Sequence, residues 1–347
     1  MRAEDVRSDK GRPFTGAEYL ASLDDGREVY INGERIKNVV EHPSMRNSAR
    51  SLARLYDALH DPATKDTLTS PTDTGSGGYT HKYFRVARSA DDLVAQQGAI
   101  ASWARMSYVW MGRTADYKAA LMNTLGANAD WYGPFKDNAL AWHKRAQEAA
   151  LFMNHAIVNP PIDRHKSADA VKDVFVHITK ETDAGIYVSG AKVVATSSAL
   201  THYNFLAQSS ATVTEDPSLS VMFILPMNAP GVKMFCRVSY EQTANTVGQP
   251  FDYPLSSRFD ENDAILVLDD VFVPWEDVLV LRDAGKILSF HPASGFMHGY
   301  CFQGCTRLAV KLDFLAGLLA KALRATGGDA FRGNQAMLGE VIAIRHQ

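Results

Sequence analysis

The spacing of apolar residues divides the chain into a helical start, a strand-rich middle and a helical end. Across 48–60 the apolar side chains fall at Leu52, Leu55, Tyr56 and Leu59, the interval of a helix with one buried face. A second helix is predicted to open at Ser89, whose hydroxyl suits an N-cap, with Asp91 and Asp92 in the first turn where the helix dipole favours acids. It is expected to run through Ile100, Trp103, Ala104 and Met106 towards Gly112. Between the two, Thr72-Asp73-Thr74-Gly75-Ser76-Gly77-Gly78-Tyr79 lacks the spacing of a phosphate-binding loop and reads as a flexible connector. From Val171 the period shortens to that of strands. Segments 173–178, 186–188, 192–196, 221–225 and 264–268 are short, β-rich and bounded by turn formers. Ser189-Gly190-Ala191, between two of them, suits a hairpin turn. Strands so spaced, without intervening helices, predict an antiparallel sandwich or barrel rather than a doubly wound sheet. After Val273-Pro274-Trp275 helical spacing returns. Segment 301–323 is apolar on one face, interrupted by Arg307, Lys311, Asp313 and Lys321. Segment 335–345 reads as a helix still under way at the last residue, so the chain is expected to be cut short. Three units follow: a mostly helical 1–145, a β domain at 146–282 and the first part of a helical domain at 283–347.

At 347 residues the chain is long enough to bury a large core, and 46% apolar with 22% charged residues is ordinary globular composition. A net charge of −3 gives no field that would draw nucleic acid or an anionic membrane. The first residues lack the apolar run of a secretory signal, and no uncharged apolar stretch reaches the ~18 residues of a spanning helix. Three cysteines, Cys236, Cys301 and Cys305, are too few for a disulfide framework and point to a reducing cytosol. Cys301 and Cys305 share a helical face and read as buried apolar positions. A cytoplasmic enzyme is the expected class.

Candidate chemistry centres on three residues. Arg113 and Tyr117 sit four apart, and His155 stands alone before Asn159-Pro160-Pro161. A guanidinium, a phenol and an imidazole are what a site needs to hold and deprotonate a small phenolic substrate. If 113–117 is helical, the spacing puts Arg113 and Tyr117 on one face. Each residue also has a plainer reading: His155 fixing the proline turn, Arg113 pairing with Asp116 at the surface, Tyr117 packing in the core. The eleven histidines are scattered without metal-ligand spacing, and no Gly-X-Ser-X-Gly elbow supports a hydrolase.

Several long strings carry a resemblance. They include Arg12-Pro13-Phe14-Thr15-Gly16-Ala17-Glu18-Tyr19-Leu20, Met111-Gly112-Arg113-Thr114-Ala115-Asp116-Tyr117, Asn154-His155-Ala156-Ile157-Val158-Asn159-Pro160-Pro161-Ile162-Asp163-Arg164 and Tyr253-Pro254-Leu255-Ser256-Ser257-Arg258-Phe259-Asp260-Glu261-Asn262-Asp263. With 25–30, 72–79 and 190–196, they resemble the oxygenase component of the 4-hydroxyphenylacetate 3-monooxygenase family, the two-component, FADH2-dependent phenol hydroxylases. The resemblance implies an α+β, acyl-CoA dehydrogenase-like fold: an N-terminal helical domain, a central antiparallel β-barrel and the start of a C-terminal helical bundle that continues further in the family. It implies ortho-hydroxylation of 4-hydroxyphenylacetate, or a similar para-substituted phenol, by O2 through a C4a-hydroperoxyflavin. A separate flavin reductase supplying FADH2 and a homotetramer are implied too. Carried over residue by residue, His155 is the proton acceptor, Arg113 stabilises the phenolate, and Tyr117 donates a hydrogen bond. Thr196 meets flavin N5, Pro161, Ile162, Asp163 and Arg164 lie along the FAD, and Ser210 binds the substrate's carboxylate end. Two alternatives stand beside this reading: an acyl-CoA dehydrogenase or CoA-ester dehydratase on the same fold, and a non-catalytic truncated fragment.

Overall fold

Thr15 and Glu18 illustrate how local sequence starts a helix. Thr15 Oγ1 accepts the Glu18 amide at 3.2 Å while the Glu18 carboxylate accepts the Thr15 amide at 2.9 Å. Two donors that a helix start leaves unpaired are thereby satisfied. This opens α1 (Gly16–Ser22) in a computed structural model that describes residues 2–162, 165–167, 169–208 and 216–347. There follow β1 (Glu28–Ile31), β2 (Glu34–Ile36), α2 (Arg46–Asp57), α3 (Lys65–Leu68), β3 (Thr69–Pro71) and β4 (Tyr79–His81). Next come α4 (Ala90–Met106), α5 (Ala115–Ala127) and α6 (Lys136–Ala149). The strand-rich region holds β5 (Met153–Ala156), β6 (His177–Thr182), β7 (Gly185–Lys192), β8 (Tyr203–Leu206), β9 (Val221–Pro226) and β10 (Val232–Cys236). After α7 (Tyr240–Val247) come β11 (Ala264–Pro274), β12 (Val278–Leu281), α8 (Ala284–Ala293), α9 (Phe296–Thr326) and α10 (Arg332–Arg345).

The predicted helix at 48–60 is α2, and its buried residues Leu52, Leu55 and Tyr56 are those the spacing selected. Ser89 caps α4, its hydroxyl accepting the Asp92 amide at 3.1 Å. That helix ends at Met106, short of Gly112, because Tyr108 and Val109 take left-handed φ values of 53° and 55°. The glycine-rich loop is pinned: the Asp73 amide donates to Gln147 Oε1 at 2.8 Å and the Thr74 hydroxyl to Glu148 Oε1 at 2.7 Å, both on α6. Cys301 and Cys305 are exposed on α9 rather than buried.

The strands form two principal ladders among the described residues. One has six strands in the order β2-β1-β10-β11-β7-β6, the other four in the order β12-β9-β8-β5, with β3 and β4 as a separate pair. The antiparallel expectation holds for most pairs, but β1 runs parallel to β10 and β5 parallel to β8. Parallel neighbours need long connections: helices α2–α6 lie within the one from β1 to β10, while the one from β5 to β8 runs through β6 and β7. The expected strand at 173–178 begins only at His177, after a 3-10 stretch at Asp169–Val174. Ser189-Gly190-Ala191 does not turn; it lies within β7, which pairs antiparallel with β6. Gly190 has φ of 126°, and a Cβ there would lie 2.2 Å from the Phe175 carbonyl oxygen. The glycine serves a close backbone approach, not a hairpin.

The aromatic core between helices and sheets includes Tyr19, Tyr56, Trp103, Trp142, Phe152 and Phe205, all buried. Each such side chain contributes about 1.5–3 kcal/mol by leaving water. Helix α5 packs against β5 and α9, the three elements that meet at the site below. No described helix is long and apolar enough to cross a membrane.

Candidate active site

The chain enters α5 through an extended Thr114, whose hydroxyl donates to the buried Asp116 carboxylate. Arg113 precedes the helix and Tyr117 lies in its first turn, so the expectation of one helical face is corrected: the bend at Thr114 brings them together. The Arg113 guanidinium sits 4.7 Å from the Tyr117 ring centre, a cation–π contact. His155 comes from β5, an edge strand of the four-stranded sheet, and its ring centre is 5.8 Å from that of Tyr117. Tyr300 of α9 meets Tyr117 edge-on at 5.8 Å. The three residues singled out in the sequence therefore gather around one aromatic ring.

Their charge states follow from burial. His155 Nδ1 is buried without a hydrogen-bond partner among the described residues. Loss of water, then the cations Lys118 and Arg113 and the His291 imidazole, hold its pKa well below the usual 6.5, so the ring is neutral. Burial pushes the Tyr117 phenol above its usual range, which leaves it protonated and able to donate. The acid beside Arg113 is Glu261, not Asp116: the Arg113 amide donates to Glu261 Oε1 at 3.0 Å, and its guanidinium lies 3.9 Å from Oε2. Burial raises the Glu261 pKa, opposed by Arg113.

Thr196 follows β7 and is tied to the same stretch. Its hydroxyl donates to Asp263 Oδ1 at 2.6 Å, while the Ser197 amide donates to Asn262 O at 2.9 Å and the Ser197 hydroxyl to Glu261 O at 3.0 Å. A cavity of about 470 Å3, with Trp110, Arg237, Glu261, Asp263 and Lys311 in its wall, adjoins this stretch. Exposed Pro161 and half-buried Ile162 lie beyond β5. The segment before them is held by Lys192, whose Nζ donates to Ile157 O at 3.1 Å, Asn159 Oδ1 at 2.7 Å and Gln208 Oε1 at 2.8 Å. Burial lowers the Lys192 pKa to about 7. Asp163, Arg164 and Ser210 lie outside the described residues.

Sequence reasoning assigned no role to Lys118, Lys192 or Glu261. The two lysines interrupt apolar runs, Tyr117-Lys118-Ala119-Ala120 and Lys192-Val193-Val194-Ala195, which was the available signal. Glu261 lay inside a matched string but carried no spacing that linked it to Arg113.

Comparison with known proteins bears directly on this geometry. Residues 15–280 match the family model of the 4-hydroxyphenylacetate 3-hydroxylase N-terminal domain, and residues 288–347 that of its C-terminal domain. The chain belongs to the 4-hydroxyphenylacetate 3-hydroxylase family. Among its relatives, the 4-hydroxyphenylacetate 3-monooxygenase oxygenase component of Pseudomonas aeruginosa is 61% identical over 347 residues, which is all of this chain and 67% of the relative. The Escherichia coli protein of the same name is 59% identical over the same spans, and a 4-nitrophenol 2-monooxygenase oxygenase component from Rhodococcus is 57% identical over 96% of this chain and 64% of its own length. The chain thus spans about two thirds of the length of these hydroxylases. A crystal structure of a 4-hydroxyphenylacetate 3-monooxygenase oxygenase component complexed with FAD and 4-hydroxyphenylacetate has a TM-score of 0.88 and 29% identity, covering 96% of this chain and 69% of that one. An archaeal 4-hydroxybutyryl-CoA dehydratase, at 23% identity and a TM-score of 0.79 over 97% of this chain and 67% of its own, shares the fold. Within the hydroxylase family, the Arg113, Tyr117 and His155 cluster is the candidate place for the phenol.

Proposed function

We propose that this chain is the oxygen-inserting component of a two-component phenol hydroxylase, which converts 4-hydroxyphenylacetate or a similar para-substituted phenol to the catechol with FADH2 and O2. The observation that carries the reading is the convergence of Arg113 and Tyr117 on a half-buried, neutral His155 whose buried Nδ1 lacks a partner among the described residues. A phenol hydroxyl supplies the hydrogen bond that this nitrogen lacks. Asn159 Nδ2, buried next to the Pro160–Ile162 stretch without an acceptor among the described residues, likewise suits an oxygen of a flavin nucleotide. Thr196, Pro161 and Ile162, with Asp163 and Arg164, would hold that group, and Ser210 would meet the substrate's carboxylate end. Reduced flavin, when bound, supplies the oxygen atom drawn from O2.

The protein's own part is to ionise and orient the phenol. His155 takes the phenolic proton at Nδ1, which its depressed pKa leaves free. Arg113 offsets the charge that develops on the phenol oxygen and stays cationic throughout. Tyr117 donates a hydrogen bond to the same oxygen and fixes the ring's direction. Ionisation raises electron density at the ortho carbon, the position that receives oxygen. A relative named for 4-nitrophenol supports the class of para-substituted phenols over any single member. We further assign a flavin reductase as partner and a homotetramer as the assembly. Leu318, Leu319, Met337, Ile342 and Ile344, exposed along α9 and α10, support an additional packing surface there.

The test is direct. Purified protein with FAD, NADH and a flavin reductase is offered a panel of simple phenols, and catechol is measured. No catechol from any of them refutes the reading, and sedimentation at several concentrations tests the tetramer.

A further inference from the structure

Lys118 follows Tyr117 in α5 and is wholly buried. Its Nζ makes no hydrogen bond among the described residues. Its surroundings are aromatic: Nζ lies 4.1 Å from the ring centre of Tyr117, 4.7 Å from Phe296 and 5.6 Å from Tyr300. An ammonium gains about 0.5–2 kcal/mol from a ring face, less than the effective cost of taking an ion out of water, which is several kcal/mol. Burial and the like charge of Arg113 accordingly draw its pKa well below 10.5. The titratable groups that face this enclosure are Arg113 before α5, Tyr117 on it, His155 on β5, His291 on α8 and Tyr300 on α9. Two bases in one poorly hydrated enclosure do not both hold a proton, because each charged form disfavours the other.

We propose that Lys118 is a positioning residue of the hydroxylation site: it wedges the Tyr117 ring between α5 and α9 and, as the competing proton acceptor, keeps His155 unprotonated and ready for the phenol. The inference rests on the function proposed above. Removing the amine leaves the imidazole as the favoured place for an added proton, so His155 titrates at higher pH and begins to fail as a base in mild acid. An arginine at 118 retains the cation and preserves the neutral imidazole.

The experiment uses the whole protein labelled at histidine Cε1, with the His155 signal identified by its loss in His155→Gln. Lys118→Met is expected to raise the His155 titration midpoint by about one pH unit, and Lys118→Arg to leave it low. At the pH of its own His155 midpoint, Lys118→Met is expected to release several-fold more peroxide per NADH than wild type, with Lys118→Arg restoring the coupling. A wild-type His155 that titrates at its ordinary value overturns the proposal without any variant, and so does an unchanged midpoint in folded Lys118→Met. If no phenol is hydroxylated by wild type yet the midpoint moves as expected, the functional reading fails and the link between Lys118 and His155 stands.

Discussion

His155→Gln isolates the proton-accepting role from the packing role. Glutamine keeps a hydrogen-bonding side chain of similar reach but cannot accept a proton near neutral pH. Nδ1 of His155 has no partner among the described residues, so the exchange breaks no bond there, and stability should change by no more than about 1 kcal/mol. The chemical cost is far larger. A phenol with a pKa of about 10 is overwhelmingly neutral at pH 7.5, so without a base the ring reaches the reaction electron-poor. Loss of a positioned general base is worth roughly 10²–10⁴-fold in rate, about 2.7–5.5 kcal/mol of barrier. Arg113 and Tyr117 remain to bind the hydroxyl, so KM should move only a few-fold. The assay is single turnover with pre-reduced FAD, quenched for catechol and measured in parallel for peroxide, because oxygen not transferred to the ring is expected to leave as peroxide. Catechol yield and rate equal to wild type would refute the assignment of His155 as base.

Three further outcomes follow from the geometry. Arg113→Lys retains the charge but loses the planar fork over Tyr117, and hydrogen bonds to charged groups are worth ~1.5–3 kcal/mol; KM for the phenol should rise roughly tenfold or more, and an unchanged KM counts against the contact. His81, buried and stacked on Trp103 at 4.3 Å, has its pKa lowered to about 3 by burial. The unfolded chain therefore binds one more proton at this site between that value and 6.5, and the site's contribution to stability is lost as pH falls through the window. Because Glu241 and Asp277, raised by burial to about 7 and about 6, act in the opposite sense, the signal is a difference: His81→Phe should gain on wild type by ~1.4 kcal/mol per pH unit from pH 6 to 4. Urea midpoints test this, and a flat difference refutes it. Gly190→Ala, at φ of 126° with Phe175 O in the way, should lower stability by at least ~1 kcal/mol, read as a lower urea midpoint with unchanged slope.

Local signals were legible and tertiary ones were not. The Ser89 cap and the buried face of α2 depend on neighbours in sequence, so the residues declared them. β5 and β8 were missed as strands because they span four residues each, nearly all buried, and show no alternation of polar and apolar positions. Gly190 looked like a turn because glycine marks both turns and close backbone approaches. The cluster of Arg113, Tyr117 and His155 was found through matched strings, but the supposed helical spacing was not its cause, since α5 begins only at Ala115 and the extended Thr114 sets Arg113 outside it. Lys118, Lys192 and Glu261 stayed silent for a related reason. A charged residue in one sequence reads as solvated until folding shows what lies over it.

The pairing of Glu28 with Lys233, which makes β1 the parallel neighbour of β10, has a cost during synthesis. The first strand off the ribosome waits for a partner that appears roughly two hundred residues later, and contacts so distant along the chain are slow to form. Until then β1 lacks that neighbour, and in an N-terminally clipped molecule the matching rim of β10 is left bare and open to others of its kind. Chains that begin only after Ile36 should accordingly accumulate as aggregates, even though Arg113, Tyr117 and His155 are all still encoded.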